Sequence, residues 1–194
     1  KESFKSEVQK LKNIPEEHAP LILEMKEQGL ELASMVMEAL SLKFPGYKMI
    51  SAEEQISVPI QETITDYTYK GFLDLVIQTP DGKYHIIDWK SCSWGWDMER
   101  KTDKITTYQL TYYKKFFCQK HNINPELVET YFGLLKRTAK KNKIEIFRVS
   151  SGPRKIKNAL NILNQAVYNI HNNNHPKNRL KCKKCEFNKT EWCP

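Results

Sequence analysis

Over residues 20–40 the apolar side chains Leu21, Met25, Leu32, Met35, Val36 and Leu40 recur at three- and four-residue intervals, which predicts an amphipathic helix. Pro20 suits its first turn, and Pro45-Gly46 ends it. Residues 1–12 read as a shorter helix or a frayed end, cut off by Asn13-Ile14-Pro15. Three strand patterns follow. Residues 47–60 carry Ile50, Ile56, Val58 and Ile60, residues 69–78 are rich in β-formers, and residues 83–91 make the third. Thr79-Pro80-Asp81-Gly82 is a turn by composition, so the second and third strands are expected to pair as a hairpin. Helical spacing returns over 103–120, strands over 127–136 and 143–149, and a helix opens at Pro153 and runs to about Asn172. Its buried face is expected to be Ile156, Leu160, Leu163 and Val167.

The order helix, three strands, helix, two strands, helix predicts an α/β fold with a central mixed sheet flanked by helices. No repeat and no clear linker is visible. Residues 1–174 are expected to form one domain, and residues 175–194 a cysteine-bearing tail packed on it.

Composition narrows the class. The chain has 194 residues, 40% of them hydrophobic, which suits a globular domain with a proper core. No apolar run approaches the roughly 20 residues of a membrane helix, and the charged start has no apolar leader. The first residue is Lys1 rather than Met, so the sequence reads as a trimmed piece of a longer protein. A net charge of +8 favours polyanionic partners, because Lys and Arg displace the counterions of phosphates. Five cysteines, three near the end, do not look like a secreted disulfide framework. They fit a reducing, cytoplasmic setting and a metal site.

The chemistry concentrates on the predicted hairpin. Alternation along Ile86-Ile87-Asp88-Trp89-Lys90 puts Asp88 and Lys90 on one face and Ile87 and Trp89 on the other. Alone, that pair reads as a salt bridge on an ordinary strand. Asp74 changes the reading. It lies on the preceding strand among Leu73, Leu75, Val76 and Ile77, where an acid is costly unless paired or bound to a cation. Two carboxylates and an ammonium on one face suit phosphodiester hydrolysis. Carboxylates hold a hard divalent cation such as Mg²⁺, and a lysine can orient water or offset charge on the phosphate.

Gly71-Phe72-Leu73-Asp74-Leu75-Val76, followed by Asp88-Trp89-Lys90-Ser91 and then Gln109-Leu110-Thr111-Tyr112-Tyr113, resembles the PD-(D/E)XK nuclease superfamily over roughly residues 20–193. The RecB-like branch, with phage exonucleases and CRISPR adaptation nucleases, is the nearest in pattern. The resemblance implies a restriction-endonuclease-like core with a small Cys-containing C-terminal cap. It implies Asp74 and Asp88 as ligands of Mg²⁺ or Mn²⁺, Lys90 as the catalytic lysine, and Gln109 and Tyr113 as supports that share a helical face. It also implies a glutamate on the first strand. Glu53 is preferred, with Ile56 and Val58 three and five positions later, although strict alternation would put Glu54 on the core face. Relatives carry Gly-x-x-x-His in the first long helix; here Gly29 is followed at that place by Ala33.

The implied activity is DNA hydrolysis, exonucleolytic, in phage- or viral-type replication, recombination or repair, within the host cell if viral. The alternatives are a flap or end-processing endonuclease and a non-catalytic nucleic-acid-binding module. Cys182-x-x-Cys185 with Cys193 has metal-ligand spacing, for a [4Fe-4S] cluster as in relatives or for Zn²⁺ with His171 or His175. A cluster's fourth cysteine would lie in a removed upstream segment. Trp94 and Trp96 are expected to pack a loop rather than to stack on bases. The basic run Lys136 to Lys143 and the tail lysines are candidate phosphate contacts.

Overall fold

A computed structural model describes residues 16–60, 67–177, 182, 185–191 and 193. The expected segments 1–12 and 13–15, and most of the basic tail cluster, lie outside these. A single 3₁₀ turn, Glu16–His18, leads into helix α1, Ala19–Lys43, with Pro20 in its first turn. Strands β1, Lys48–Pro59, β2, Thr68–Gln78, and β3, Tyr84–Cys92, follow. A short helix α2, Met98–Thr102, leads to α3, Lys104–His121. Strands β4, Val128–Lys136, and β5, Ile144–Val149, and helix α4, Pro153–His171, complete the order. Among the described residues the expected helices and strands form. The additions are the 3₁₀ turns Glu16–His18 and Pro125–Leu127 and the helix α2, capped by Asp97, whose carboxylate accepts the Arg100 amide at 2.8 Å.

The five strands make one sheet in the order β1-β2-β3-β4-β5. All neighbours are antiparallel except β3 and β4, which are parallel because α2 and α3 carry the chain across between them. The hairpin turn closes through hydrogen bonds between Thr79 and both Gly82 and Lys83, with Gly82 at φ +82°.

Each face of the sheet has its own core. On one side α3 and α4 cover Ile56, Leu73, Val76, Ile86, Phe132 and Leu134. Leu160, Leu163 and Val167 of α4 join this cluster, as their spacing predicted, whereas Ile156, expected with them, is not part of it. On the other side the end of α1 brings Leu40 and Phe44 against Leu75, Ile77, Ile87 and Tyr131. The rest of α1 is thinly packed: Leu32 is buried, but Leu21 and Met25 stay exposed, contrary to the face drawn from the sequence. An ion pair between Glu31 and Lys143, 2.5 Å, ties the middle of α1 to the segment before β5.

Two positions break the pleat. The register shifts between Met49 and Ser51, which leaves Ile50 exposed rather than in the core. The second break falls between Ala52↔Leu75 and Glu54↔Leu73. There Leu73 belongs to the α3-side cluster and Leu75 to the α1-side cluster, although they are two residues apart. Glu53 and Asp74, which face each other in this register, occupy the break. No helix among the described residues is long and apolar enough to cross a membrane.

Candidate active site

β2 and β3 pair only from Gln78↔Tyr84 to Leu75↔Ile87. The next step would set Asp74 beside Asp88, and there the strands part. Asp74 turns its carboxylate into the gap, and Oδ2 accepts the Trp89 amide at 2.7 Å in place of a β2 carbonyl. A side chain thus satisfies a backbone donor that the divergence would otherwise orphan. Because the strands separate at two facing acids, the opening is lined by oxygen.

Asp88 projects to the α3 side and is 1% exposed. Its Oδ1 accepts from Gln109 Nε2 at 3.1 Å. Its Oδ2 lies 2.7 Å from the Lys90 ammonium in an ion pair, and the second lone pair of Oδ2 remains open to a further ligand. Burial pushes the Asp88 carboxyl up, the nearby Asp74 adds to this, and Lys90 opposes both. Crowding two carboxylates in a buried place is unfavourable unless positive charge stands against them. Lys90 supplies one such charge, and its side chain is a third exposed to solvent.

The helix behind the acids fixes their orientation. Gln109 Nε2 also donates to the Tyr113 hydroxyl at 2.9 Å, so residues one turn apart on α3 form a chain ending on Asp88. Burial pushes the Tyr113 phenol up, keeping it protonated. Gly71 gives Tyr113 its room: a Cβ there would lie 3.2 Å from the Tyr113 ring and 3.1 Å from the Tyr69 hydroxyl. The glycine three residues before Asp74 therefore has a steric reason.

Of the two candidate glutamates, Glu54 is engaged elsewhere. It accepts from Ser51 at 2.6 Å and Lys120 at 2.7 Å and meets His121 at 2.6 Å, tying β1 to the end of α3. Burial raises its pKa, but these partners outweigh burial and hold it below the ordinary value. Glu53 is exposed, sits opposite Asp74 in register, and has left-handed backbone at φ +52°. For a residue with a Cβ that conformation is strained by about 1–2 kcal/mol.

Among the described residues, no three His, Cys, Asp or Glu side chains are gathered as a ready metal-ligand group. That holds for Glu53, Asp74 and Asp88 and for the tail. Cys182 and Cys185 are joined by a backbone hydrogen bond of 3.1 Å, and Cys193 pairs with Thr190 in an isolated bridge. The expected three-cysteine site is not assembled among these residues. Cys118 is a core residue, its thiol pushed up by burial to about 11, as expected for a structural cysteine.

The two loop tryptophans divide. Trp96 packs at 5.0 Å from Phe132 and carries Arg100 over its ring at 4.6 Å. Trp94 is 71% exposed, so the expected packing holds for one and fails for the other. No sequence signal marks the Asp74–Trp89 bond, because it depends on where two strands part.

The sequence profile of the PD-(D/E)XK nuclease superfamily matches residues 3–194. No curated protein matches the chain significantly. Two of the solved structures that resemble it illustrate the likeness. SSO0001 is 18% identical, with 87% of this chain and 68% of that one aligned and a TM-score of 0.49. A candidate exonuclease from Eubacterium rectale is 14% identical, with 82% of this chain aligned and a TM-score of 0.54. The chain spans 58% of that protein's length, and at this identity the likeness concerns the fold. With the profile matching nearly end to end on a five-stranded mixed sheet flanked by helices, the chain belongs to the PD-(D/E)XK nuclease superfamily.

Proposed function

We propose that the chain is a divalent-cation-dependent deoxyribonuclease of the RecB-like branch, acting on DNA ends as an exonuclease in phage- or viral-type replication, recombination or repair. The observation that carries this reading is the meeting of Asp74, Asp88 and Lys90 where β2 and β3 part. The superfamily generally uses divalent metals such as Mg²⁺ or Mn²⁺. The donor chemistry fits such an ion, since carboxylate oxygens are its preferred ligands and Asp88 Oδ2 has acceptor capacity to spare. Asp74 and Asp88 would hold it, with Glu53 across from Asp74 as the third acid.

Such a cation supplies Lewis-acid polarisation of the phosphoryl oxygen and activation of water. Lys90 positions the attacking water and offsets negative charge on the phosphate as it builds. Gln109 holds Asp88 in one rotamer, and Tyr113 holds Gln109. Glu53 assists as ligand or base. Residues 1–174 form the catalytic domain in this reading. The tail from 175 would serve as a metal clip on the same domain if Cys182, Cys185 and Cys193, which are not gathered in this structure, draw together around an iron–sulfur cluster or zinc.

The test is digestion of linear and covalently closed DNA with Mg²⁺ or Mn²⁺, beside Asp88→Ala and Lys90→Ala. Linear DNA is expected to be degraded by the wild type and spared by both variants, with closed circles intact. Cutting of closed circles would replace the exonuclease with an endonuclease. Equal inertness of all three proteins, with DNA binding retained, would leave a binding module. Metal analysis with a visible absorption spectrum on anaerobically purified protein tests the tail.

A further inference from the structure

On the side of β3 away from Asp88 and Lys90, a cavity of about 490 Å³ opens between α1 and the sheet. Small residues make it. Gly29 and Ala33 stand one turn apart on the α1 wall, and an added Cβ at Gly29 would meet nothing within 4 Å. Across the sheet, Gly133 is the register partner of Trp89. A Cβ at Gly133 would fall 2.2 Å from the Trp89 ring, so the indole lies over the bare backbone of β4. That arrangement forms the floor of the cavity, with the indole among its lining groups. The volume is in the range of about 300–1,000 Å³ typical of small-ligand pockets.

One wall is charged. Arg137, beyond the end of β4, lines the cavity, and its Nε is buried without a hydrogen-bond partner among the described residues. The guanidinium sets a positive charge on that wall, and a phosphate there would meet it in a charge-assisted contact. The Ser91 hydroxyl lines the same space. The cavity thus joins a flat aromatic floor, apolar sides and a cation, which together match a nucleobase with its phosphate. It is linked to the proposed reaction centre through one residue, because the Trp89 amide is the group that Asp74 holds.

We propose that this cavity takes one unpaired nucleotide of the substrate strand, the base over Trp89 and its phosphate on Arg137 and Ser91. This rests on the nuclease reading and adds a substrate class: DNA with unpaired bases, since a base within a duplex cannot enter a pocket without being extruded. Charge complementarity favours a nucleotide over an uncharged apolar ligand.

The test separates binding from cleavage. Fluorescence anisotropy in EDTA measures affinity for a labelled single-stranded oligonucleotide, for the same length with abasic sites, and for a blunt duplex. Two variants probe the cavity: Arg137→Gln removes the cation, and Ala33→Leu fills the space from α1. Thermal melts check that both remain folded. Each variant is expected to bind the normal single strand at least about tenfold more weakly, with duplex affinity changed less than twofold. Wild-type protein is expected to lose a similar factor on the abasic strand. Wild-type affinity in both folded variants, or equal binding of abasic and normal strands, would overturn the pocket while leaving the nuclease reading intact. Selective single-strand binding by a wild type that cleaves no DNA in Mg²⁺ or Mn²⁺ would sink the nuclease reading and keep the pocket.

Discussion

At the scale of single residues, close approaches and unusual backbone separate positions that resemble one another in sequence. Gly133 is defined by Trp89: a methyl group would enter the indole at 2.2 Å. Gly133→Ala is expected to cost about 1–3 kcal/mol, the range for overpacking a fitted site, in a urea melt. It should also impair cleavage, because the Trp89 amide anchors Asp74. Unchanged stability would mean that the ring moves freely. Glu53 and Glu54 differ as sharply. Glu54→Gln weakens charge-assisted bonds and should cost about 1–2 kcal/mol while DNA cleavage continues. Glu53→Gln should leave the melt unchanged and lower kcat about a hundredfold, the scale of losing one charge-handling group. The reverse pattern would assign the third acid to Glu54.

At the scale of elements, buried polar contacts register the strands and helices against one another. His85 on β3 faces Thr79 through Nε2 at 2.8 Å, lies 3.7 Å from Glu129 of β4, and packs on Phe44 after α1. Burial pushes its pKa below the ordinary 6.5, more strongly than Glu129 and Asp81 pull it up. Below that pH the unfolded chain takes up a proton that the folded chain resists, so stability falls as pH drops through this range. Chemical denaturation at about pH 5.5 and about pH 7.5 should show this loss in the wild type. His85→Phe should show a smaller loss, and an identical pH dependence in the two would remove His85 as its source. Glu145 is a second fastening. It accepts from Lys101 of α2 and meets Lys136 of β4 at 3.2 Å. Burial raises its carboxyl pKa, but the two lysines outweigh burial and bring it below the ordinary value. Its contribution is present above the usual carboxylate range and lost as pH falls through the lowered value.

At the scale of the whole molecule, charge and layering set what reaches the site. A net charge of +8 on 194 residues predicts salt-dependent binding of DNA, with log affinity falling linearly as log salt rises. Anisotropy titrations from about 50 to about 200 mM salt should give a clear negative slope, and a flat response would argue against phosphate contacts. Layering gives the central strand β3 two functions. Even-numbered side chains face α3 and the proposed reaction centre, while odd-numbered ones face α1 and the cavity. The thin packing of α1 is what leaves that second face open.

Periodicity alone determined the order of elements, the hairpin, and the split of Asp88 and Lys90 from Ile87 and Trp89, because alternation and helical spacing are local properties of the backbone. The motif from Gly71 to Asp74, with Asp88, Lys90, Gln109 and Tyr113, was legible through its resemblance to the superfamily's pattern, in which each residue sits at a fixed offset within one element. Tertiary structure decided what depends on elements meeting. The parting of β2 from β3 makes Asp74 the acceptor of the Trp89 amide, and the pleat break places Glu53 opposite it while Glu54 goes to Lys120 and His121. Only the packing of α1 on the sheet turns Gly29 and Ala33, noted in the sequence only where relatives carry Gly-x-x-x-His, and Gly133 into the walls of a cavity with a guanidinium nitrogen that is buried and unpaired among the described residues.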